Sequence, residues 1–358
     1  MTVLADIHDE HGATYADRGG RTVVDHYGKP VRVHRAVRNG VGFLEHAYGI
    51  LTITGDDRVE YVDNAVSNRI PATDGAGTYA LLLDPQGHIE TDMYVYNAGE
   101  RLLVFTPPGE GESLAAEWRE KIFIQDVDIS VSTGDFGVFG VYGPQATEKI
   151  ASVFNEQTPD EHLSFVRGSM GDAGVTVVRT DGVAGEEGYE VICAVDIVED
   201  VFDTLENRGL NAAPFGYRTW NALTLEAGTP LFEPELDGEI PNVLGLRNAV
   251  DFEKGCFVGQ EVVSRVENRG QPSRQLVGLS VEVAPEAGAA VFAGDEAVGE
   301  ITRAVDSPSV GEPIALALVD FGIEGDLTVR VDGTERQASV CSLPFVEGSD
   351  RSRRIPEY

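Results

Sequence analysis

The sequence predicts an α+β protein that ends in a small β-barrel or sandwich. Strand and helix signals alternate up to about Gln275, without the regular βαβ spacing of a doubly wound parallel sheet. Beyond that point helical periodicity stops, and short β runs separated by Gly, Pro and Asp follow. The chain has 358 residues, of which 42% are apolar, so two or three domains can each bury a core.

One α+β unit is predicted from about residue 50 to about residue 130. GILTITGDDRVEYVDNAVSN indicates a strand and then a helix, with Thr54 as N-cap and Val59, Val62 and Val66 as an apolar stripe. TYALLLDPQGHIETDMYVYN indicates two strands joined by a turn at residues 84–87. RLLVFTP adds a third strand, and SLAAEWREKI adds a second helix.

A second α+β unit follows. FGVFGVYG, VTVVRT and GYEVICAV are predicted strands, and Pro144 is predicted to open a helix that runs to Phe154. VEDVFDTLENRG and YRTWNALTLEAG are predicted helices, each ending at a glycine, Gly209 and Gly228. This unit shows no sequence repetition of the first one.

The C-terminal part contains five β runs: QLVGLSVEV, AAVFAG, VGEITRAV, IALALV and LTVRV. They predict a β-barrel or sandwich of about 80 residues. The tail GSDRSRRIPEY is expected to pack loosely. The N-terminus is expected to be mobile, so that His8 and His11 form no metal site.

The formal charge is −33 and the acidic residues are spread along the whole chain. This composition disfavours nucleic-acid binding and indicates an acidic surface suited to high salt, so we expect a halophilic source. The start has no secretory signal, and no apolar run could span a bilayer. The three cysteines are far apart and form no CxxC pair, so no disulfide framework is predicted, and we expect a cytoplasmic protein.

The stretch FEKGCFVGQEVVSR places Cys256 beside Lys254, one of only four lysines. Gly255 and Gly259 permit tight turns around the thiol. Cations that faced the sulfur would stabilise its thiolate and make it a nucleophile or a soft ligand. The alternative is a small, packed cysteine, which is the commoner fate. Cys193 and Cys341 are predicted to lie in the core.

The run FEKGCFVGQEVVSRVENRG, with LTLEAGTP and EIPNVLGLRNAVDF before it, resembles the YgfZ-type folate-binding family. YALLLDPQGHIETDMYVY, RTDGVAGEEGYEV and VGEITRAVDSPSVGEPIALALV resemble both that family and the glycine-cleavage T-protein, a tetrahydrofolate-dependent aminomethyltransferase of the same superfamily. The resemblance covers nearly the whole chain. It implies two α+β units and a C-terminal barrel around a central folate channel.

The resemblance implies the domain boundaries and the site residues. The first α+β unit, which would bind folate, would consist of residues 1–50 and 135–240. The second α+β unit would consist of residues 51–134, with residues 241–275 packing nearby. Residues 276–358 would form the barrel. Asp92 would be the carboxylate beside the reacting folate nitrogens. Tyr79 would stack on the pterin, Glu190 would accept its N–H donors, and Arg179 would also contact the folate. From the residues alone, the favoured interpretation is that Asp92 is a surface residue at a strand start and that Glu190 lies on the solvent face of an alternating strand.

The chain departs from the T-protein pattern at three positions. Thr91 stands where the first of two adjacent aspartates is usual, Val183 replaces a tyrosine, and Thr224 replaces an arginine that Arg218 could not substitute. The resemblance therefore implies folate binding more strongly than aminomethyl transfer.

Three hypotheses are open. The first, which the intact cysteine motif favours, is a tetrahydrofolate-binding, YgfZ-like protein that supports iron–sulfur enzymes, with Cys256 and Lys254 as functional residues alongside Asp92. The second is an aminomethyltransferase that takes its group from a small one-carbon donor or a lipoyl carrier protein. The third is a binding scaffold in which folate is a vestige. No metal, nucleic-acid or membrane partner is expected.

Overall fold

The computed structural model describes residues 2–323 and 325–358, with the side chain of Arg269 excepted. Two β-sheets contribute to one central hydrophobic core, and the outer surface of a six-stranded closed barrel contributes to the same core. This arrangement confirms the predicted α+β fold with a C-terminal barrel. None of the helices in the described part of the chain combines the length and the apolar composition needed to cross a membrane.

Sheet one has six strands in the spatial order β10-β11-β12-β9-β3-β13. They are β3 (Gly42–Glu45), β9 (Phe136–Tyr142), β10 (Phe165–Met170), β11 (Ala173–Arg179), β12 (Gly188–Ala194) and β13 (Ala213–Pro214). Neighbours are antiparallel except for the parallel pair β13 and β3. A separate hairpin precedes the sheet and consists of β1 (Thr14–Arg18) and β2 (Arg21–His26).

Sheet two has five antiparallel strands in the order β5-β6-β7-β4-β8. They are β4 (Gly49–Thr54), β5 (Ala76–Leu83), β6 (Ile89–Asn97), β7 (Leu102–Thr106) and β8 (Asp128–Val131). Both faces of β5 are covered: Leu81 belongs to the central core, whereas Ala80 and Leu82 belong to the core under the helices. This explains why the strand reads as an unbroken apolar run rather than an alternating one.

The barrel closes in the order β14-β17-β16-β15-β18-β19, because β14 pairs with both β17 and β19. Its strands are β14 (Arg274–Val281), β15 (Ala290–Ala293), β16 (Glu296–Asp306), β17 (Pro313–Asp320), β18 (Leu327–Val331) and β19 (Thr334–Cys341). Sequence analysis missed β19. Its burial pattern has a single fully buried residue, Ala338, so the strand carries almost no apolar signal.

The described residues form eight α-helices: α1 (Ala5–Glu10), α2 (Pro30–Asn39), α3 (Arg58–Ala65), α4 (Glu110–Glu120), α5 (Ala146–Val153), α6 (Val198–Asn207), α7 (Tyr217–Glu226) and α8 (Gln260–Arg269). Residues of α5 and α6 share a core with one face of sheet one, and residues of α3 and α4 share a core with one face of sheet two. The other face of each sheet lines the central core. The two sheets therefore enclose the space in which a site can be protected from water.

Both chain ends differ from expectation. His8 is fully buried in α1, where its Nε2 lies 2.9 Å from Glu45 Oε2 and its Nδ1 is 2.8 Å from the Tyr27 hydroxyl. The predicted mobility of this segment was wrong. The C-terminal tail is also well packed, since Ser352 and Arg354 are buried. Side-chain hydrogen bonds to Glu45 and Tyr27 hold the N-terminal segment, and backbone hydrogen bonds to loops hold the C-terminal tail. A composition-based argument does not register such contacts.

Smaller corrections concern element starts and one cysteine. The helix expected to be capped by Thr54 begins at Arg58 after a turn through Gly55, and the helix expected to open at Pro144 begins at Ala146. Cys193 lies in the core as predicted, but Cys341 is only half-buried at the end of β19. The proposed division of the chain into domains stays a prediction.

Candidate functional site

Asp92 lies in the middle of β6 and faces the central core. It pairs with Leu81 of β5, and the diagonal neighbour Tyr79 donates its hydroxyl to Asp92 Oδ2 at 2.8 Å. The side chain is 7% exposed, and burial is the main cause that raises the pKa of its carboxyl group. A carboxylate held in this way is strongly biased towards accepting a proton or pairing with a cation.

The cation that pairs with Asp92 comes from the C-terminal tail. Arg354 Nη1 lies 3.2 Å from Asp92 Oδ2, and Arg354 Nε lies 3.1 Å from Asp181 Oδ2. The guanidinium also donates to the Tyr94 hydroxyl, which in turn donates to Asp181 Oδ1 at 2.8 Å. Because Asp92 belongs to sheet two and Asp181 follows the last strand residue of β11 in sheet one, Arg354 joins the two sheets at the centre of the molecule.

Glu190 lies on β12 and faces the same central space. Tyr48 donates its hydroxyl to Glu190 Oε1 at 2.7 Å, whereas Oε2 is buried and has no hydrogen-bond partner among the described residues. Burial raises the pKa of Glu190 to about 7. His46 Nε2 lies 3.8 Å from Oε1, and burial lowers the pKa of His46 to about 3, so the neighbouring ring stays neutral. A ligand N–H group would satisfy the free oxygen.

A cavity of about 120 Å³ opens beside Asp92. Its buried wall includes Asp92, Arg354, His46 and Trp220, and its partly exposed rim includes Arg18. The cavity therefore contains a buried carboxylate, a guanidinium and an aromatic wall. This combination suits a flat heterocycle with several N–H groups.

Two predicted folate contacts are placed elsewhere. The Arg354 guanidinium carbon lies 3.7 Å from the centre of the Tyr79 ring, so that ring face is covered by the tail and not free for a pterin. Arg179 lies over the ring of Tyr189, which belongs to the core on the far face of sheet one, away from Glu190. Alternation along β11 puts Arg179 on that face. Tyr79, Arg179 and Glu190 are all absent from the residues that line the cavity within the described chain. Glu190 is connected to it through Tyr48 and His46, which do line it.

The structure also separates the roles expected of Lys254 and Cys256. Lys254 is buried, and its ammonium donates to the carbonyls of Asp63, Val66 and Asn68 at the end of α3. Cys256 is exposed. Among the described residues no hydrogen bond joins the two side chains, so Lys254 acts on the loop rather than on the sulfur.

The departures from the T-protein pattern acquire a geometric meaning. Thr91 faces away from Asp92 because neighbouring strand residues point to opposite sides of a sheet. An aspartate at position 91 would therefore not face the cavity, and its replacement by threonine removes no carboxylate from it. Thr224 Oγ1 accepts a hydrogen bond from Arg303 Nη1 at 2.9 Å. Arg303 comes from β16 of the barrel, so a guanidinium does reach this position, from a predicted strand that sequence analysis did not connect with the site.

Sequence analysis missed Asp181, Arg354 and Tyr48 as site residues. One signal was present: three arginines fall within the last eight residues of a chain that is strongly acidic elsewhere. Asp181 and Tyr48 carried no such signal, since each is a single polar residue in a loop. Only the fold brings them together.

The sequence matches known protein families along nearly its whole length. A model of the GCVT N-terminal domain matches residues 4–254, and a model of the glycine cleavage T-protein C-terminal barrel domain matches residues 274–347. An aminomethyltransferase of Cutibacterium acnes is 31% identical over 369 aligned residues, which cover 97% of this chain and 98% of the relative. A probable aminomethyltransferase of Halobacterium salinarum is 31% identical over 363 residues, which cover 95% and 97%.

The fold has a close counterpart among solved structures. The crystal structure of the glycine cleavage system aminomethyltransferase T from Bartonella henselae matches with a TM-score of 0.85 and 23% identity, covering 96% of this chain and 97% of that one. The N-terminal domain model alone spans well over half of the sequence. The chain therefore belongs to the T-protein (aminomethyltransferase) superfamily.

Proposed function

We propose that the protein is a tetrahydrofolate-dependent aminomethyltransferase. The observation that carries the proposal is the buried Asp92 carboxylate, held by Tyr79 and Arg354 at the edge of a cavity between the two sheets. The curated relatives from Cutibacterium acnes and Halobacterium salinarum bear the names aminomethyltransferase and probable aminomethyltransferase, which supports the same reaction.

The residues present fit a reduced folate. Glu190 offers a buried oxygen without a partner, which suits the amino and ring N–H groups of a pterin. Asp92 would accept a proton from a reacting folate nitrogen, or stabilise positive charge at the transferred carbon. The aromatic wall of the cavity, which includes Phe105, Tyr217 and Trp220, would shield this step from bulk water.

The reaction balances without an oxidant. The carrier–S–CH2–NH2 group and two N–H groups of tetrahydrofolate give carrier–SH, ammonia and 5,10-methylenetetrahydrofolate. The bonds that break are the C–S and C–N bonds of the donor, and two folate C–N bonds form. Protons from the folate nitrogens go to sulfur and to the leaving amine, and Asp92 would pass one of them.

The test uses the full chain, tetrahydrofolate and a lipoyl carrier protein loaded with an aminomethyl group. We expect formation of 5,10-methylenetetrahydrofolate, with Asp92→Asn lowering the rate on the order of 100-fold or more, since general acid–base catalysis contributes about that much. Thr91→Ala is the matched control, because Thr91 lies on the same strand and faces the opposite side. No product from wild type, or full activity in Asp92→Asn, would contradict the proposal.

Folate binding is tested separately by calorimetry. Glu190→Gln removes one charge-assisted hydrogen-bond partner and should weaken binding of tetrahydrofolate roughly ten- to a hundredfold. Equal affinity in wild type and variant would show that Glu190 does not read the pterin.

A second candidate function is the YgfZ-like role in supporting iron–sulfur enzymes, and the exposed thiol of Cys256 favours it. Burial raises the pKa of Cys193 to about 12 and that of Cys341 to about 11, so iodoacetamide should modify Cys256 first. Mass spectrometry identifies the site. If Cys256→Ser supports iron–sulfur enzyme activity in cells as well as wild type does, this candidate is excluded.

A further inference from the structure

Two cavities adjoin at the site. The inner cavity beside Asp92, of about 120 Å³, and an outer cavity of about 570 Å³ share four lining residues. These are Arg18, Leu231, Glu233 and Pro234, all of them partly or fully exposed. The shared residues mark the point at which the inner cavity opens, so a ligand that leaves it passes into the outer one.

The inner cavity is too small for a whole folate, so a bound folate would occupy both cavities. Pockets that bury a whole drug-sized ligand usually measure about 300–1,000 Å³, well above the inner cavity. The inner cavity, which Asp92 lines, therefore accommodates only a ring system and not a whole folate. The benzoyl-glutamate part must lie in the outer cavity.

The charges of the outer cavity are unbalanced. Arg303 is paired with Glu235 at 3.1 Å, and Arg274 is paired with Glu239. Three further carboxylates of the lining are exposed and form no ion pair within the described residues: Glu233, Asp237 and Glu300.

Against these three stands Arg18, which donates to the uncharged Asn221 Oδ1 at 2.7 Å. The crowding of negative charge extends to Glu110 at the start of α4. Burial and the carboxylates of Asp237 and Glu233 raise the pKa of Glu110, so these groups share one electrostatic environment.

We propose that the outer cavity makes this protein selective for tetrahydrofolate with a single glutamate. Arg18 pairs with one carboxylate of that glutamate. Glu233, Asp237 and Glu300 repel every additional γ-linked glutamate. This specificity rests on the folate-binding function proposed above. Each added glutamate brings one more negative charge towards the three carboxylates. Molar salt screens this repulsion, because the Debye length falls to about 3 Å at 1 M.

The test is calorimetric binding of tetrahydrofolate monoglutamate and triglutamate to the full chain. At 0.2 M KCl we expect the triglutamate to bind on the order of three- to tenfold more weakly than the monoglutamate, and at 2 M KCl the two affinities should converge. The triple variant Glu233→Gln, Asp237→Asn, Glu300→Gln should also bring the ratio of the two dissociation constants close to one.

The matched control is Glu156→Gln, Asp160→Asn, Asp172→Asn, which changes the net charge equally at exposed positions outside the cavity lining. It should keep the wild-type ratio. A triglutamate that binds wild type as tightly as the monoglutamate at 0.2 M KCl overturns the inference and leaves folate binding intact. A control variant that also abolishes the discrimination overturns it too. If neither folate binds, the proposed function falls with it.

Discussion

At the scale of single residues, the site is a balance of buried charges. Arg354 is 4% exposed and faces two carboxylates, Asp92 and Asp181, while Glu190 is buried without a cation. A buried ion pair contributes little net stability, but loss of one partner leaves an uncompensated charge in a medium of low polarity. Substitution of Arg354 and substitution of Glu190 should therefore change the stability of the fold in different ways.

Arg354→Ala should destabilise the fold by about 3–5 kcal/mol, because Asp92 and Asp181 are then buried without their cation. Thermal unfolding followed by circular dichroism measures the effect. Arg353→Ala is the control, since that side chain is exposed and only its backbone N–H bonds to the carbonyl of Asp181. Equal melting temperatures for the two variants would show that the ion pairs are not essential to the fold.

Glu190 makes stability depend on pH. Burial raises its pKa from 4.5 to about 7 in the folded protein, so the folded state retains a proton that the unfolded state has already lost. This contribution is fully present below pH 4.5 and disappears as pH rises through 7, a change of about 3 kcal/mol.

Glu190→Gln, which stays neutral, should therefore unfold at a higher temperature than wild type at pH 8, with little difference at pH 5. Melting curves at the two pH values provide the measurement. Glu156→Gln removes an exposed carboxylate and should show no such divergence. A constant difference between Glu190→Gln and wild type across this range would disprove the buried, protonated state.

At the scale of elements, the fold is held by polar links between segments far apart in sequence. Glu226 at the end of α7 accepts hydrogen bonds from His34 and Arg38 of α2, each at 2.9 Å. It also accepts from Ser307 and Ser309, in the loop between β16 and β17 of the barrel. One fully buried carboxylate thus joins two helices to the barrel.

Glu226→Gln should lower the free energy of unfolding by about 3 kcal/mol at pH 7 in a denaturant titration. Burial alone would raise the pKa of Glu226, but the hydrogen bonds and charges of His34 and Arg38 hold it at about 2. The wild-type advantage is present above pH 4.5 and should shrink as pH falls towards 2. The exposed Glu148→Gln on α5 is the control, and an equal loss there would refute the link.

At the scale of the whole molecule, the net negative charge is the main electrostatic influence on folding stability. Sixty Asp and Glu residues face 27 Lys and Arg residues, which gives a net charge of −33. Repulsion among the excess carboxylates opposes folding. Salt weakens this repulsion because the Debye length falls from about 10 Å at 0.1 M to about 3 Å at 1 M.

We expect the melting temperature to rise between 0.1 M and 2 M KCl. Differential scanning calorimetry in KCl, with an uncharged osmolyte of equal osmolality as control, separates screening from general exclusion effects. A melting temperature that is the same at both salt concentrations would exclude the halophilic interpretation of the composition.

The sequence by itself determined the fold class and most strands and helices, including the strands that carry Asp92 and Glu190. These follow from local periodicity, which is continuous in the chain. That the two carboxylates face a shared central space was implied only by the family resemblance of motifs such as GHIETDMYVY and EEGYE. Alternation along a strand also decided, in principle, that Thr91 and Asp92 face opposite sides.

Only the tertiary structure decided what surrounds these carboxylates. Arg354 lies 262 residues from Asp92, Arg303 lies 79 residues from Thr224, and Lys254 bonds to carbonyls 186 to 191 residues away rather than to the thiol two positions further on. Such pairings depend on how the tail, the barrel and the loops close over the sheets, because a charged side chain takes the partner that burial leaves within reach and not the one nearest in sequence.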